Sequence, residues 1–152
     1  MPEKKKYVYD WPRPMITVDA VVFDVSDGKP KLLLIKRANE PFKGKWAFPG
    51  GFVDMNEELQ DAAARELAEE AGLTGIKLQQ LHTFGKCGRD PRGRNITVAF
   101  IGITKNSKIK SGDDATEAKW FEIDNLPPMA FDHNDVAAVA IARHNQLLMN
   151  NS

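Results

Sequence analysis

The chain reads as a single α/β domain, on three observations. Strand-length runs of β-branched and apolar residues recur at 15–25, 31–36, 76–86, 96–103 and 119–123. Two stretches with helical periodicity interrupt them, one from about Asn56 to Gly72 and one following Asp132. Glycine- and proline-rich breaks separate the elements. A length of 152 residues suits one domain with a proper core. The composition, 42% hydrophobic and 28% charged, argues against disorder and against a membrane protein. Balanced charge, 21 basic against 21 acidic residues, gives no general attraction to a nucleic acid polymer and leaves a small molecule as the expected partner. Cys87 is the only cysteine, which rules out an internal disulfide and fits a reducing cytoplasm. Lys4-Lys5-Lys6 is followed by no apolar stretch, so neither a signal peptide nor an anchor is expected and the predicted location is cytoplasmic.

Residues 1–13 form an N-terminal extension, with Trp11 and Pro12 expected to pack on the domain that runs from 14 to 152. The run at 15–25 is a buried strand; Ser26-Asp27-Gly28-Lys29-Pro30 turns the chain into the 31–36 strand, so the two form a hairpin. Arg37 ends that strand and leads towards a glycine turn. In the loop that follows, Trp46 and Phe48 lie two apart and share a face, the usual pattern of core residues. Pro49-Gly50-Gly51 reverses the chain, since glycine tolerates positive φ and close backbone approach.

The helix beyond that turn is the most informative element. At about 100° per residue, Ala64, Leu67, Ala68 and Ala71 form a small apolar arc suited to lying on a sheet, and Gly72 is a natural C-terminal stop. Glu66, Glu69 and Glu70 fall on another arc. Three like charges on one turn repel, and the helix dipole disfavours them near the C-terminus. A hard divalent cation reverses the sign of that cost, because carboxylate oxygens are its preferred ligands. A solvated acidic face is the alternative.

After the 76–86 strand comes Cys87–Asn95, a loop with three arginines. Arg89, Arg92 and Arg94 are either solvated or planar donors to phosphate. The 105–111 stretch is polar, and Asp113 and Asp114 turn the chain into the strand at 119–123. Leu126-Pro127-Pro128 is a break. Asp132 is placed to cap the last helix with Asp135 at N3, and Val136, Val139, Ala140, Leu147 and Leu148 give that helix an apolar side. His82, His133 and His144 show no metal-ligand spacing, so no zinc site is expected.

Gly51, Glu57, Arg65-Glu66-Leu67, Glu69-Glu70 and Gly72-Leu73 resemble the Nudix box (G-x5-E-x7-R-E-U-x-E-E-x-G-U) with no departure. The resemblance implies an α/β/α sandwich with a mixed sheet, the catalytic helix following the Gly-Gly turn. It implies hydrolysis of a nucleoside diphosphate linked to another moiety. It makes Glu66, Glu69 and Glu70 ligands of Mg²⁺, or of Mn²⁺ in its place, with the Gly51 carbonyl as a further donor. Arg65 then steadies the carboxylates through Glu57. In such proteins a base takes a proton from water; Glu69 is the first candidate, and Glu117, outside the box, the second.

Ala38–Phe52, the run Gly88–Gly93 ahead of an apolar strand, and Ala130-Phe131-Asp132-His133 resemble the ADP-ribose pyrophosphatase branch, whose products are AMP and ribose 5-phosphate. Pro91 departs from that branch, lying further past the box than its marker proline. Within the resemblance Arg37 points at substrate phosphates, Phe131 stacks on a base and His133 contacts it, against the plainer reading of a packed Phe and a surface His. The alternatives are a triphosphate pyrophosphohydrolase of the 8-oxo-dGTP type and a non-catalytic ADP-ribose-sensing module. Such sensors usually carry a damaged box and an added DNA-binding domain, for which the residues after Phe131 are too few. A homodimer stays open, with the Trp11 segment as the part that would cross to a partner.

Overall fold

The computed structural model describes residues 6–105, 108–109 and 115–150. Its elements are β1 (Met15–Asp24), β2 (Lys31–Arg37), β3 (Trp46–Ala47), β4 (Gly50–Phe52), α1 (Leu59–Ala71), β5 (Gln79–Phe84), β6 (Asn95–Thr104), β7 (Ala115–Glu122) and α2 (His133–Asn150). The sheet runs β3-β2-β1-β6-β5, with β4 also paired to β1 and β7 to β2. It is mixed: β1 and β6 run parallel from Met15↔Asn95 to Asp24↔Thr104, and the other strand pairs are antiparallel.

Strand β1 shows why the chain folds this way. Residues Thr17 to Phe23 are all buried. Side chains alternate across a strand, so Val18, Ala20 and Val22 join one core with Ala63, Leu67 and Ala71 of α1. Val21 and Phe23 join a second core with Val136, Ala137 and Ala140 of α2. A continuous apolar run is what a strand covered on both faces requires, and the product is an α/β/α sandwich. Trp46 and Phe48 share the α2-side cluster.

Several expectations shift. Helix α1 starts at Leu59 rather than near Asn56, because the preceding residues form a turn in which the Glu57 N–H donates to the Asp54 carbonyl (3.2 Å). It stops at Gly72, which takes φ 66° and donates to the Ala68 carbonyl (3.0 Å). Its buried face is Ala62, Ala63, Leu67, Glu70 and Ala71, while Ala64 is exposed and Ala68 half-buried. The helix is thus rolled so that Glu70 and Glu66 approach the sheet, where a backbone N–H receives Glu70. In α2, Val136, Ala140 and His144 are buried, but Leu147 and Leu148 are exposed. A helix of 18 residues is about 27 Å long and overhangs the six-residue strand β5 it lies against, at roughly 20 Å. Trp11 does not pack on the domain: it is 79% exposed, and Tyr9 is instead covered by the Arg13 guanidinium at 3.7 Å. Strand β5 is shorter than the 76–86 run, and β7 begins before 119. Asp113, Asp114 and most of the 105–111 stretch lie outside the described residues. No helix among the described residues is long and apolar enough to cross a membrane.

The topology opens one crevice. β1 pairs with β2 only at Phe23↔Leu32 and Asp24↔Lys31; nearer its start it pairs with β4, at Thr17↔Phe52, Val18↔Gly51 and Asp19↔Gly50. The glycine turn is thereby inserted where β1 and β2 part.

Candidate active site

A cleft lies at this parting, with Asp19, Arg37, Glu70, Arg92, Phe131 and His133 among its walls. It continues past Arg37, Gly50 and Glu70 into a hollow that reaches Glu66.

The helix wall carries the glutamates. Gly50 N–H donates to Glu70 Oε1 at 2.8 Å. A Cβ on Gly51 would lie 2.5 Å from Glu66 Oε1 and would have to push that carboxylate aside. Burial pushes Glu70 up to about 9, against the pull of the Gly50 N–H and with further help from the charge of Glu66 beside it. Burial also raises Glu66, which hydrogen-bonds Glu70. Glu69 differs: its side chain is 54% exposed and lies 3.3 Å from Arg65 Nη1. Arg65 gathers this wall. Its Nε and Nη2 donate to the two Glu57 oxygens (2.7 and 3.0 Å), Nη1 to Glu66 Oε1 (2.9 Å), and Nη2 also to the Phe52 carbonyl (3.2 Å). The Glu57 contact raises Arg65 and lowers Glu57, so both stay charged.

The three box glutamates are therefore not drawn together as one ligand set, and among the described residues no trio of acidic, His or Cys side chains is. Arg65 holds Glu69 on the outer side while Glu66 and Glu70 meet inside. The donor chemistry nevertheless fits a hard divalent cation. Two buried carboxylates in contact resist holding two negative charges unless something positive joins them.

The loop wall is basic and aromatic. Arg37 donates from Nε to the Pro41 carbonyl (2.7 Å), and its guanidinium lies 5.0 Å from the centre of the Phe131 ring. Arg92 lies 5.1 Å from the centre of the same ring and equally far from that of Phe52. Burial, and then the nearby Arg92 charge, lower Arg37. Two guanidiniums over one ring form a site that an anion would relieve. Arg92 is held by Asp90, which accepts from its Nη2 (2.7 Å) and its backbone N–H (2.9 Å) and also from Asn95 Nδ2 (2.9 Å). Burial alone would raise Asp90, but these donors outweigh it and hold it far below the usual carboxylate range.

The remaining candidates are placed differently. Arg89 is buried and donates to both Asp132 oxygens (2.9 and 2.7 Å) and to the Asn95 carbonyl (3.3 Å), so it is no free phosphate donor. The same pair takes the Asp132 carboxylate away from capping α2. Arg94 is exposed and not among the cleft residues. Glu117 pairs with Lys36 across β2 and β7 and on the α2 side of the sheet, 3.9 Å from Lys36 Nζ, and does not line the cleft. His133 is a buried floor residue rather than a surface one. Its Nδ1 accepts the Phe48 N–H at 3.1 Å, which leaves the proton on Nε2, 3.6 Å from Asp19 Oδ1. Burial lowers its pKa, so the ring is neutral. Phe131 takes φ 52°, costly for a non-glycine residue by about 1–3 kcal/mol and typical of functional sites.

Sequence reading missed Asp19, Asp90 and the aromatic wall residue Phe52, and gave Asp132 only a capping role. Asp19 had a signal: it is the one charge inside the apolar 17–23 run, and it is buried, accepting from Thr97 Oγ1 at 2.6 Å. Asp132 gives no such signal, because its partner Arg89 is 43 residues away in the chain.

Comparison with known proteins agrees with this geometry. The chain is 42% identical to the ADP-ribose pyrophosphatase of Methanocaldococcus jannaschii, over 81% of this chain and 70% of that protein. It is 36% identical to the ADPR responsive transcriptional repressor NtrR of Acinetobacter baylyi, over 90% of this chain but only 56% of the repressor. Among solved structures, the NUDIX domain of Shewanella oneidensis NrtR complexed with ADP ribose superimposes with a TM-score of 0.83 at 34% identity, covering 89% of this chain and 93% of that one. The NUDIX domain model matches residues 14–143, most of the sequence, and with the glutamate helix and glycine turn in place the chain belongs to the Nudix family.

Proposed function

We propose that this protein is a Mg²⁺-dependent pyrophosphohydrolase that cleaves ADP-ribose to AMP and ribose 5-phosphate. One observation carries the reading: a single cleft joins the buried Glu66–Glu70 pair to two arginines stacked over Phe131. A diphosphate needs positive charge from both sides, and a nucleoside attached to it needs an aromatic wall. The similarity to an ADP-ribose pyrophosphatase and to an ADP-ribose complex supports this choice of substrate. Glu66 and Glu70, with Glu69 and the Gly51 carbonyl, would hold the cation. When bound, Mg²⁺ (or Mn²⁺) supplies charge neutralisation and an acidified water.

The chain's own groups do the rest. Arg65 fixes Glu66 and Glu69 against Glu57. Arg37 and Arg92 bind the diphosphate oxygens and orient phosphorus for in-line attack. Water forms the new O–P bond, the bridging P–O bond breaks, and the bridging oxygen leaves with the other phosphate. Glu69, the most exposed of the three glutamates, takes the proton from the water; Glu117, on the other face of the sheet, does not. The Phe131 ring packs on the base. His133 Nδ1 is committed to the Phe48 N–H, so its Nε2–H is the polar group left to meet the nucleoside. The same reading has the protein acting in the cytoplasm on a small molecule and self-associating through the exposed Trp11 segment.

A second reading, a sensor that binds ADP-ribose without cleaving it, is favoured by the likeness to NrtR. Turnover of ADP-ribose, NADH, diadenosine polyphosphates and 8-oxo-dGTP with Mg²⁺, beside Glu69→Gln, separates the possibilities. ADP-ribose is expected to lead in kcat/KM by about a hundredfold or more, with Glu69→Gln nearly inactive. A lead by 8-oxo-dGTP overturns the substrate, and binding of ADP-ribose without turnover establishes the sensor.

A further inference from the structure

The basic wall rests on a contact that the proposed chemistry does not use. Arg89 and Asp132 are 43 residues apart in sequence, yet they meet through two parallel N–H···O bonds with the arginine side chain 4% exposed. The Asn95 carbonyl seats the same guanidinium. Asp132 is flanked by the two residues of its loop–helix corner that face the cleft, Phe131 and His133. That corner is held in a conformation it would not adopt alone, with Phe131 in the left-handed region. Three contacts pin it. Ala130 N–H donates to the Trp46 carbonyl (2.8 Å), the Phe48 N–H donates to His133 Nδ1 (3.1 Å), and Arg89 grips Asp132 between them. The residue after Arg89 completes the arrangement: Asp90 holds Arg92, whose guanidinium lies over the Phe131 ring. One loop therefore grips Phe131 twice, through the backbone by way of Arg89 and Asp132, and over its ring by way of Asp90 and Arg92.

We infer that the Arg89–Asp132 pair is a positioning latch, which sets the Phe131 ring under Arg92 and thereby determines affinity for the nucleoside part of the ligand without entering the reaction. The inference rests on the proposed substrate class but acts through Phe131, so it is read on binding as well as on turnover. Arg89 borders the cleft, but its donors are spent on Asp132 and the Asn95 carbonyl, so neither partner is given a ligand contact. A bidentate geometry explains why the pair is Arg and Asp: a lysine keeps the charge but loses the fork that fixes the Asp132 plane.

The test is a double-mutant cycle on Asp132→Asn and Phe131→Ala, with Arg89→Lys as a second and milder probe of the latch. AMP binding is measured by calorimetry for each variant, kcat and KM for ADP-ribose in parallel, and thermal unfolding confirms that each variant is folded. A latch predicts that Asp132→Asn weakens AMP binding and raises KM by about tenfold with kcat within about twofold, and that Arg89→Lys does the same more weakly. It also predicts that adding Asp132→Asn to Phe131→Ala costs little more than Phe131→Ala alone. The inference is overturned if the two substitutions multiply, or if Asp132→Asn lowers kcat at unchanged KM. Wild-type enzyme that binds AMP but does not cleave ADP-ribose would overturn the proposed function and still leave the AMP cycle to decide the latch.

Discussion

The cleft has two walls that each crowd like charges, and they do so by opposite means. On the helix wall Glu66 and Glu70 are left in contact with each other, with burial raising both and only the Gly50 N–H and Arg65 to offset the repulsion. On the loop wall two of the arginines are braced by carboxylates, Arg89 by Asp132 and Arg92 by Asp90, while Arg37 shares the Phe131 ring with Arg92. An unrelieved pair of acids is a poor structural element and a good cation site; an arginine braced by a carboxylate, as Arg92 is by Asp90, is a rigid donor, while Arg89 is spent on Asp132. The difference teaches a division of labour. In the proposed reaction the helix wall would supply transition-state charge, and the loop wall geometry and affinity.

The sharpest way to break this division is at the buried carboxylates. Glu70→Gln keeps the shape and the Gly50 contact but removes a ligand, and it is expected to lower kcat by on the order of a thousandfold. Steady-state kinetics with ADP-ribose and Mg²⁺ measure it, and a change confined to KM would contradict the division. Gly51→Ala asks whether the helix wall needs backbone contact. The added Cβ, 2.5 Å from Glu66 Oε1, must displace that carboxylate, and a shift of that size is expected to cost about a hundredfold in kcat. Metal linkage gives a smaller effect: saturating Mg²⁺ should raise the melting temperature of the wild type by several degrees and that of Glu70→Gln by much less. The smallest effect lies on the floor between the walls. Burial lowers His133 below its ordinary value near 6.5, so the unfolded chain binds its proton more readily. Its contribution to stability is full above pH 6.5 and is lost as pH falls through that value towards the depressed one, at about 1.4 kcal/mol per unit of depression. Denaturant titrations from pH 7.5 to 5 should show a shallower loss in His133→Asn, whose side-chain oxygen can replace Nδ1 as the acceptor.

The same two walls differ in how far they could be read from the residues alone. Gly51, Glu57, Arg65, Glu66, Glu69 and Glu70 lie within 20 consecutive positions, on one turn and one helix, so spacing converts directly into proximity. The loop wall is assembled from Arg37, Arg92 and Phe131, which come from three segments and meet only when the sheet is built. Composition could flag three arginines in one loop, but not that Arg89 turns inward to Asp132 while Arg92 faces the cleft. Nor could strand alternation place Glu117 until its pairing with Lys36 fixed the face it occupies. The longer strands and both helices were legible from apolar periodicity, but the order of the strands in the sheet was not, and neither was the roll of α1, because Glu70 is buried for its contact with Gly50 and not for hydrophobic reasons.

The most direct measurement sets Glu66→Gln beside Arg92→Ala, with kcat, KM for ADP-ribose and the Kd of AMP determined for each. A catalytic helix wall and a binding loop wall predict that Glu66→Gln loses kcat by orders of magnitude while AMP affinity holds, and that Arg92→Ala weakens AMP binding and raises KM about tenfold while kcat holds. Equal losses of kcat in both variants, or a Glu66→Gln variant that still turns over ADP-ribose at the wild-type rate, would contradict the account.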